Sequence, residues 1–253
     1  SSHALIINQG GTFVGGTGTH TIGSLNIKNN TNCKCTLTSG DTTINGENGS
    51  TSKAINIEGS NGTVNFSHGS GTVIITFNGS SDIKADGVTL NLNNLTINHA
   101  DADINTKSNL TCAGDVTITA GILDGEDDAI SFGSLTISNN GTYDATSGTT
   151  TITNETSGGF AINNDGTFTH NKGTVKIDYD TSTNLDITGT GDVDLYNLIV
   201  DSDATVGYNT AVIENNLTKL GSGLMRPTGD SGRNLTVKGT FLMQAGSFGR
   251  GAN

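Results

Sequence analysis

The sequence has no tryptophan, only one proline and three cysteines, and few charged residues. Charged side chains make up 14% of its 253 residues, against roughly 25% in an average globular chain. Apolar residues account for only 32%, so a thick globular core is not expected. Low apolar content combined with low charge does not fit a disordered polyelectrolyte. It fits a thin core that needs few large hydrophobic side chains.

Positive charge is also scarce, and this limits the classes of partner. The chain has 12 Lys and Arg residues against 24 Asp and Glu residues, which gives a net charge of -12. Nucleic acids and anionic membranes are bound through clusters of positive side chains, so we expect neither as a partner. No apolar run approaches the roughly 18 residues of a membrane-spanning helix, so we expect no membrane insertion.

The odd number of cysteines excludes a complete disulfide framework. Cys33 and Cys35 flank Lys34 and could lie on one face of a strand, where cysteine acts as a small buried hydrophobe. A zinc site would need further ligands, and no His or Cys pair stands nearby in the sequence. A disulfide between Cys112 and one of the other two stays open at this stage.

What the sequence has in abundance is glycine, threonine and a repeated two-strand pattern. The segment Gly166–Ile177 predicts strands at Thr167–Thr169 and Thr174–Ile177, joined by a polar turn. Its skeleton is Gly-Thr-aromatic, four residues, Gly-Thr, two residues and Ile. We expect the glycines to allow positive φ at the corner between strands. The skeleton recurs at Gly11–Ile22, Gly141–Ile152 and, in part, Gly239–Ser247.

A second element, Leu-x-Ile/Val after Asn or Ser, also recurs. A longer internal match is separate evidence of repeats: Asn109–Ile122 aligns without a gap on Asn234–Ser247 and shares Asn-Leu-Thr, Gly and Ala-Gly at identical offsets. A coincidence of composition does not explain that many fixed positions. The element occurs at Leu25–Ile27, Asn94–Ile97, Ser134–Ile137, Asn197–Val200 and Asn234–Val237.

Units this short cannot bury their own apolar faces and must stack on one another. We therefore predict one elongated all-β domain over residues 1–253, a parallel β-helix or β-solenoid of about ten to twelve short rungs with essentially no helix. Asn and Thr at equivalent positions should form ladders, and the end rungs should expose strand edges. Met225–Pro227 predicts a loop, since proline cannot donate to a central ladder. The chain could be a piece of a longer protein.

These motifs resemble the beta-strand repeat proteins, which are large surface and fibre proteins of bacteria and phages. The clearest match is Gly166–Ile177, followed in order by Asn197–Val200 and Asn234–Gly246. The resemblance implies an extended β-solenoid in an adhesin, a filament or a virion fibre, and it carries no catalytic residues. We expect an extracellular structural or adhesive protein, at a cell surface or on a virion. It would self-associate or bind other fibre subunits, and it could present a polar face to a cell-surface glycan.

The sharpest candidate for chemistry is the acidic segment Asp124–Ser131, in which four carboxylates fall within five residues. They could share a calcium ion, because oxygen-rich loops suit Ca²⁺, or they could form a solvated acidic turn. No other cofactor is expected. The candidate calcium ligands are Asp124, Glu126, Asp127 and Asp128.

The same segment also resembles a catalytic strand of the polygalacturonase-type β-helix glycosidases, through Asp-Asp-Ala-Ile-Ser. Those inverting enzymes space carboxylates around a water molecule, so Asp127 and Asp128 are the alternative acid and base candidates. The other signatures of that family, an Asn-Thr-Asp strand and an Arg-x-Lys strand, are absent, and the best substitutes are Asp101 or Asp103. A glycosidase is therefore the alternative to a non-enzymatic role.

The five histidines are far apart in the sequence. A solenoid could align residues one rung apart into a histidine ladder, but exposed polar positions are the simpler interpretation. The residues are His3, His20, His68, His99 and His170.

Overall fold

The chain is a parallel β-solenoid of about ten turns, with no helix among the described residues. The structure is a computed structural model that describes residues 3–8, 10–28, 32–49, 52–59, 64–179, 185–188, 193–203, 205–208, 211–227 and 234–249, with only the backbone given for 185–188. Strands of successive coils pair in parallel, as the sequence pattern predicted.

The described residues contain 28 strands. In chain order, β1 to β9 span Leu5–Ile7, Thr12–Val14, His20–Ile22, Leu25–Ile27, Lys34–Thr36, Thr42–Ile44, Lys53–Glu58, Asn65–Ser67 and Thr72–Ile75. Strands β10 to β18 span Gly79–Asp86, Leu90–Leu92, Asn94–Thr106, Leu110–Asp124, Ile130–Asp144, Thr149–Ile152, Phe160–Asn164, Thr167–Thr169 and Thr174–Ile177. Strands β19 to β28 span Leu185–Thr188, Val193–Leu195, Asn197–Val200, Val206–Tyr208, Ala211–Ile213, Leu217–Lys219, Leu224–Pro227, Leu235–Val237, Phe241–Met243 and Ser247–Phe248.

Each coil contributes one strand segment to each of three faces. The first face holds β1, β4, β7, β10, the ends of β12, β13 and β14, then β17, β20, β23 and β26. The second holds β2, β5, β8, β11, the starts of β13 and β14, then β15, β18, β21, β24 and β27. The third holds β3, β6, β9, the start of β12, the middles of β13 and β14, then β16, β19, β22, β25 and β28.

The core is built from ladders of like side chains, one per coil. Alternate residues of a strand point inward, so a β-branched residue at the same position in every coil stacks on its counterparts. Full burial of such a side chain contributes about 1.5–3 kcal/mol. The third face carries the longest ladder, in which six isoleucines lie in direct register: Ile22, Ile44, Ile75, Ile97, Ile118 and Ile137.

The two central copies of the Gly-Thr motif are confirmed as successive coils. Thr142 pairs with Thr167 and Thr149 with Thr174, so the spacing of 25 residues is one coil. The copy at Gly11–Ile22 is not equivalent, because its strands lie on the second and third faces rather than the first and second. The motif therefore specifies a strand–corner–strand unit and does not specify which corner it forms.

The long match between Asn109–Ile122 and Asn234–Ser247 is corrected in the same way. Its first strand lies on the second face in β13 but on the first face in β26. The two segments are therefore similar units displaced by one face, and not the same part of two coils.

The motif glycines at the corner before Thr142 and Thr167 do not have the positive φ that the sequence suggested. A Cβ on Gly141 would lie 2.3 Å from the carbonyl oxygen of Ile118, and one on Gly166 would lie 2.3 Å from that of Ser138. Glycine is needed there because the backbone of the preceding coil passes too close for a side chain.

Polar ladders form as predicted. Asn26 and Asn56 are in register and buried, and Asn56 Nδ2 donates to Asn26 Oδ1 at 3.2 Å. A second kind of polar contact was not foreseen: corner side chains accept backbone N–H groups of the next coil. Asn94 Oδ1 accepts from Asp115 N at 2.9 Å, and Asn216 Oδ1 accepts from Thr240 N at 3.0 Å. Such contacts tie each corner to the next one.

The cysteine interpretation is confirmed, whereas the loop at Met225–Pro227 is wrong. Cys33, Cys35 and Cys112 are all buried and unpaired. Leu224–Pro227 forms strand β25 instead of a loop. Met225 is buried within this strand, and Pro227 is its last residue.

Candidate functional site

The acidic segment forms the corner between β13 on the first face and β14 on the second. Asp124 ends β13, and its Oδ1 accepts the backbone N–H of Glu126 at 2.8 Å. Glu126 has a φ of 50°, so the chain turns sharply there. Asp127 is exposed, and Asp128 is half-buried. The first carboxylate therefore stabilises the turn by capping it.

The neighbouring coils hold this corner from both sides. In the preceding coil, Asn109 Oδ1 accepts the N–H of Ala129 at 3.1 Å. In the following coil, Thr146 Oγ1 donates to the carbonyl of Asp128 at 2.7 Å, and the N–H of Ser147 donates to the carbonyl of Glu126 at 2.8 Å. The contacts from the following coil use the carbonyls of Glu126 and Asp128. The sequence analysis did not predict that Asn109 and Thr146 hold this corner. An Asn or Thr recurs at each corner, about twenty residues apart, and this spacing could have predicted the contacts.

The charges at the corner are only partly compensated. Glu126 pairs with Lys107 of the preceding coil, and this hydrogen bond is the main cause that raises the pKa of Lys107. Burial raises the pKa of the Asp128 carboxyl, and the neighbouring Asp127 and Glu126 carboxylates raise it further. A general acid must hold its proton at the working pH, so the direction of this change is the one that the alternative enzyme interpretation requires.

Asp124 belongs to a column of polar side chains on the first face. The parallel register places Asp124 opposite Asn105 in one coil and Asp144 in the next. Burial is the largest cause that raises the pKa of Asp124, and the charges of Glu126, Asp144 and Asp103 add to it. The hydrogen bond that Asp124 accepts from the Glu126 N–H lowers the pKa, but it does not cancel the rise caused by burial and the neighbouring charges.

Replacing Asp124 by asparagine is expected to stabilise the protein at pH 7 by about 0.5 kcal/mol, a small value because the side chain is partly solvated. A carboxyl whose pKa is raised on folding stabilises the folded protein only at low pH. This stability is lost as the pH rises from the ordinary pKa of 3.8 through the pKa of the folded state. Asparagine removes that cost and keeps an oxygen for the Glu126 N–H.

Denaturant unfolding at pH 7 and pH 3 measures this effect. The gain should vanish at pH 3, where the carboxyl is protonated in both states. Asp124→Ala is the matched control, since it removes the charge together with the cap and should be destabilised by about 1 kcal/mol. An Asp124→Asn variant less stable than the parent at pH 7 would contradict the assignment.

The carboxylates of the segment are not gathered around a common point. Within the described ranges, no group of three or more His, Cys, Asp or Glu side chains is placed to hold a metal ion. Of the two substitute residues, Asp103 lies on the first face close enough to influence Asp124. Asp101 is exposed, and its N–H donates to the Nδ1 of His99.

A shallow cleft of about 330 Å³ lies along the same edge of the solenoid, in the two coils before the acidic corner. Asn109 belongs both to the cleft and to the contact that caps Ala129. Its lining is small and mostly neutral, and none of the four candidate carboxylates belongs to it: Ala85, Gly87, Val88, Thr89, Ser108 and Asn109.

Three of the histidines share one structural role. In each, the ring Nδ1 accepts the backbone N–H of the residue two positions later: Ser70 for His68, Asp101 for His99 and Lys172 for His170. Aspartate and threonine cap other corners in the same way. These histidines therefore act as turn caps.

Comparison with protein-family models, curated proteins and solved structures found no match to this chain. Among the described residues, no helix is long and apolar enough to span a membrane. The case for a function therefore depends on the fold and on the surfaces it presents.

Proposed function

We propose that this chain is a structural or adhesive component of an extracellular filament or fibre, at a cell surface or on a virion. The observation that carries the proposal is the stack of about ten coils. At ~4.8 Å per coil, the stack makes a rod roughly 50 Å long. Hydrogen bonds along the rod axis and side-chain caps between corners make such a rod stiff and difficult for a protease to enter.

The flanks of the rod support an adhesive role. The outer surface of the third face carries a column of partly exposed hydroxyl and amide groups in direct register over four successive coils. Hydroxyl and amide groups donate and accept hydrogen bonds, so they suit the hydroxyl groups of a glycan. The column includes Thr96, Thr117, Thr136 and Asn163.

Labelling the source cells or particles with an antibody raised against the purified chain tests this proposal. We expect label on intact, unpermeabilised surfaces, and we expect it to persist after limited proteolysis that removes less ordered surface proteins. Antibody absorbed beforehand with the purified chain is the control. Label that appears only after permeabilisation would overturn an extracellular role.

The second candidate is a carbohydrate-active β-helix that uses Asp127 and Asp128. It is favoured by the raised pKa of the half-buried Asp128 beside the exposed Asp127. Polysaccharide turnover by the parent and by an Asp127→Asn, Asp128→Asn double variant separates the two candidates. The exposed Asp194, replaced by asparagine, is the matched control. Turnover that the double variant loses and the control keeps would establish the enzyme, whereas we expect no such difference.

A further inference from the structure

One corner of the edge between the first and second faces is much shorter than its neighbours. The corner between β20 and β21 holds a single residue, Tyr196, whereas the preceding corner, 170–173, holds four residues and the following corner, 214–216, holds three. One residue carries too little backbone to project from the rod as the longer corners do. Tyr196 therefore stands between two projecting corners.

The Tyr196 ring lies against the His170 ring of the preceding coil. Their centroids are 5.5 Å apart, their planes are inclined by 34°, and both residues are partly exposed. No other corner of this edge carries Phe, Tyr or Trp in the part of the chain that the structure describes. Such rings present a rigid apolar surface with a polar end at the solvent, which is a feature of many binding surfaces.

The turn that carries His170 is strained and fixes the orientation of its ring. Asn171 and Lys172 have φ values of 44° and 60°, in the left-handed region that is unusual for a lysine. Lys172 N donates to His170 Nδ1, and Gly173 N donates to the His170 carbonyl, both at 2.9 Å. Because Nδ1 accepts, the neutral ring carries its proton on Nε2 and can donate it to a ligand. Backbone strain of this kind is concentrated at functional sites.

An exposed amide stands on each side of the ring pair. Asn171 Nδ2 donates to the carbonyl of Ala145 at 2.9 Å, so its Oδ1 is the end that can accept from a ligand. Asn216 Oδ1 accepts Thr240 N at 3.0 Å, so its Nδ2 is the end that can donate. Asn216 N also donates to Asn197 Oδ1 at 3.3 Å, which holds the residue beside the one-residue corner. The ring pair is thus flanked by an acceptor and a donor.

The charged residues around these side chains balance one another. Lys238 Nζ lies 2.6 Å from Glu214 Oε1, and the exposed Lys172 and Asp194 have opposite signs. A strongly acidic or basic ligand therefore gains little from this surface. An apolar platform with a few neutral donors and acceptors suits a molecule that has an apolar face and hydroxyl groups around its rim. A neutral sugar ring of the pyranose type has both.

We propose that four residues, His170, Asn171, Tyr196 and Asn216, form a binding site for a neutral pyranose glycan. The C–H face of one sugar ring packs against the exposed part of the two aromatic rings, and its hydroxyl groups donate to Asn171 Oδ1 and accept from Asn216 Nδ2. Tyr196 loses little conformational freedom on binding, because its ring is already packed against His170. The inference rests on the proposed adhesive role and gives it a site separate from the column of hydroxyl and amide groups on the third face.

An array of immobilised oligosaccharides tests this site. The probes are neutral hexose and N-acetylhexosamine oligosaccharides, with sialylated oligosaccharides as the acidic set, and the probe that binds best is then titrated against the chain by calorimetry. We expect the parent to bind members of the neutral set. Tyr196→Ala should weaken binding by about tenfold or more, whereas Tyr196→Phe keeps the ring and should stay within about threefold of the parent.

Phe77→Ala is the matched control. Phe77 is a partly exposed aromatic residue in the corner between β9 and β10, so this variant also removes a ring from the surface, but at a different edge of the rod. It should bind like the parent, and circular dichroism verifies that every variant is folded.

Four results would overturn the site: a parent that binds no probe, parental affinity in Tyr196→Ala, an equal loss in Phe77→Ala, or binding of the sialylated probes alone. Surface labelling of the source cells or particles does not depend on Tyr196. Failure of the glycan site and failure of the extracellular role are therefore distinguishable.

Discussion

Gly141→Ala is expected to lower the free energy of unfolding by about 3 kcal/mol, an effect at the upper end of those caused by overpacking. The added Cβ would lie 2.3 Å from the carbonyl oxygen of Ile118 and 3.0 Å from Ile118 Cγ2 in the preceding coil. That carbonyl is backbone within a ladder of paired strands and cannot rotate away as a side chain would. The coils must separate locally, and the corner then loses hydrogen bonds as well as packing.

Gly18→Ala is the matched control for this prediction. Gly18 occupies the second glycine position of the motif copy at Gly11–Ile22, yet a Cβ there would meet no atom within 4 Å, and its φ is not positive. Alanine should therefore leave stability unchanged or raise it by about 0.5 kcal/mol, through the entropy of the unfolded chain. Denaturant unfolding of both variants measures the contrast. Equal effects at the two positions would show that the motif glycines are not required by close backbone approach.

The contrast between the two glycines shows how far the sequence could predict the fold. Alternation of Ile and Thr with short Gly-Thr units was enough to predict strands, stacking and a thin core. The spacing of 25 residues predicted the coil that relates Gly141 to Gly166. A copy of the motif can form the corner between the first and second faces or the corner between the second and third faces. Which one it forms depends on the number of residues in the intervening corners, and the local pattern does not contain that number.

The candidate site was less predictable for the same reason. Coil length varies from 18 residues between Val193 and Ala211 to 31 between Thr42 and Val73, so no constant offset aligns side chains from different coils. A register shift within β12 adds to this. Two features of the site arise from this stacking between coils. Asp144 raises the pKa of Asp124, and Asn109 Oδ1 accepts the N–H of Ala129. Only the turn formed within Asp124–Ser131 could be expected from the sequence.

Alkaline pH is expected to unfold the protein more strongly than any single substitution, because three buried acids must ionise. Cys35, Cys112 and Tyr143 are each at most 1% exposed. Burial raises the pKa of Cys35 to about 12 from an ordinary value of 9.0. Burial likewise raises the pKa of Cys112. It also raises the pKa of Tyr143 above its ordinary 10.0, although the hydrogen bond between the Tyr143 and Thr150 hydroxyls acts in the opposite direction. The folded chain therefore keeps protons that the unfolded chain releases.

For these groups the folded pKa lies above the unfolded pKa. Their contribution to stability is fully present below pH 9 and is lost as the pH rises toward the folded values. Each thiol costs about 1.4 kcal/mol per pH unit in this window, so the two cysteines together cost roughly 5 kcal/mol between pH 9 and pH 11. Tyr143 adds about 1.4 kcal/mol above pH 10. Lys219 partly offsets this loss of stability. Burial lowers its pKa on folding, so its contribution to stability increases with pH up to its ordinary pKa of 10.5.

The pH series of unfolding free energies in denaturant, from pH 7 to pH 11, tests this account. A Cys35→Ala, Cys112→Ala double variant should be less stable than the parent at pH 7, because it leaves cavities, yet its curve should fall much less steeply above pH 9. Tyr143→Phe keeps the ring between Phe132 and Phe168 and should flatten the curve only above pH 10. Curves that stay parallel to the parent would mean that the thiols and the phenol do not ionise on unfolding. The thin core makes this sensitivity large, since each coil adds so few side chains that one ionised group lies against both neighbouring rungs.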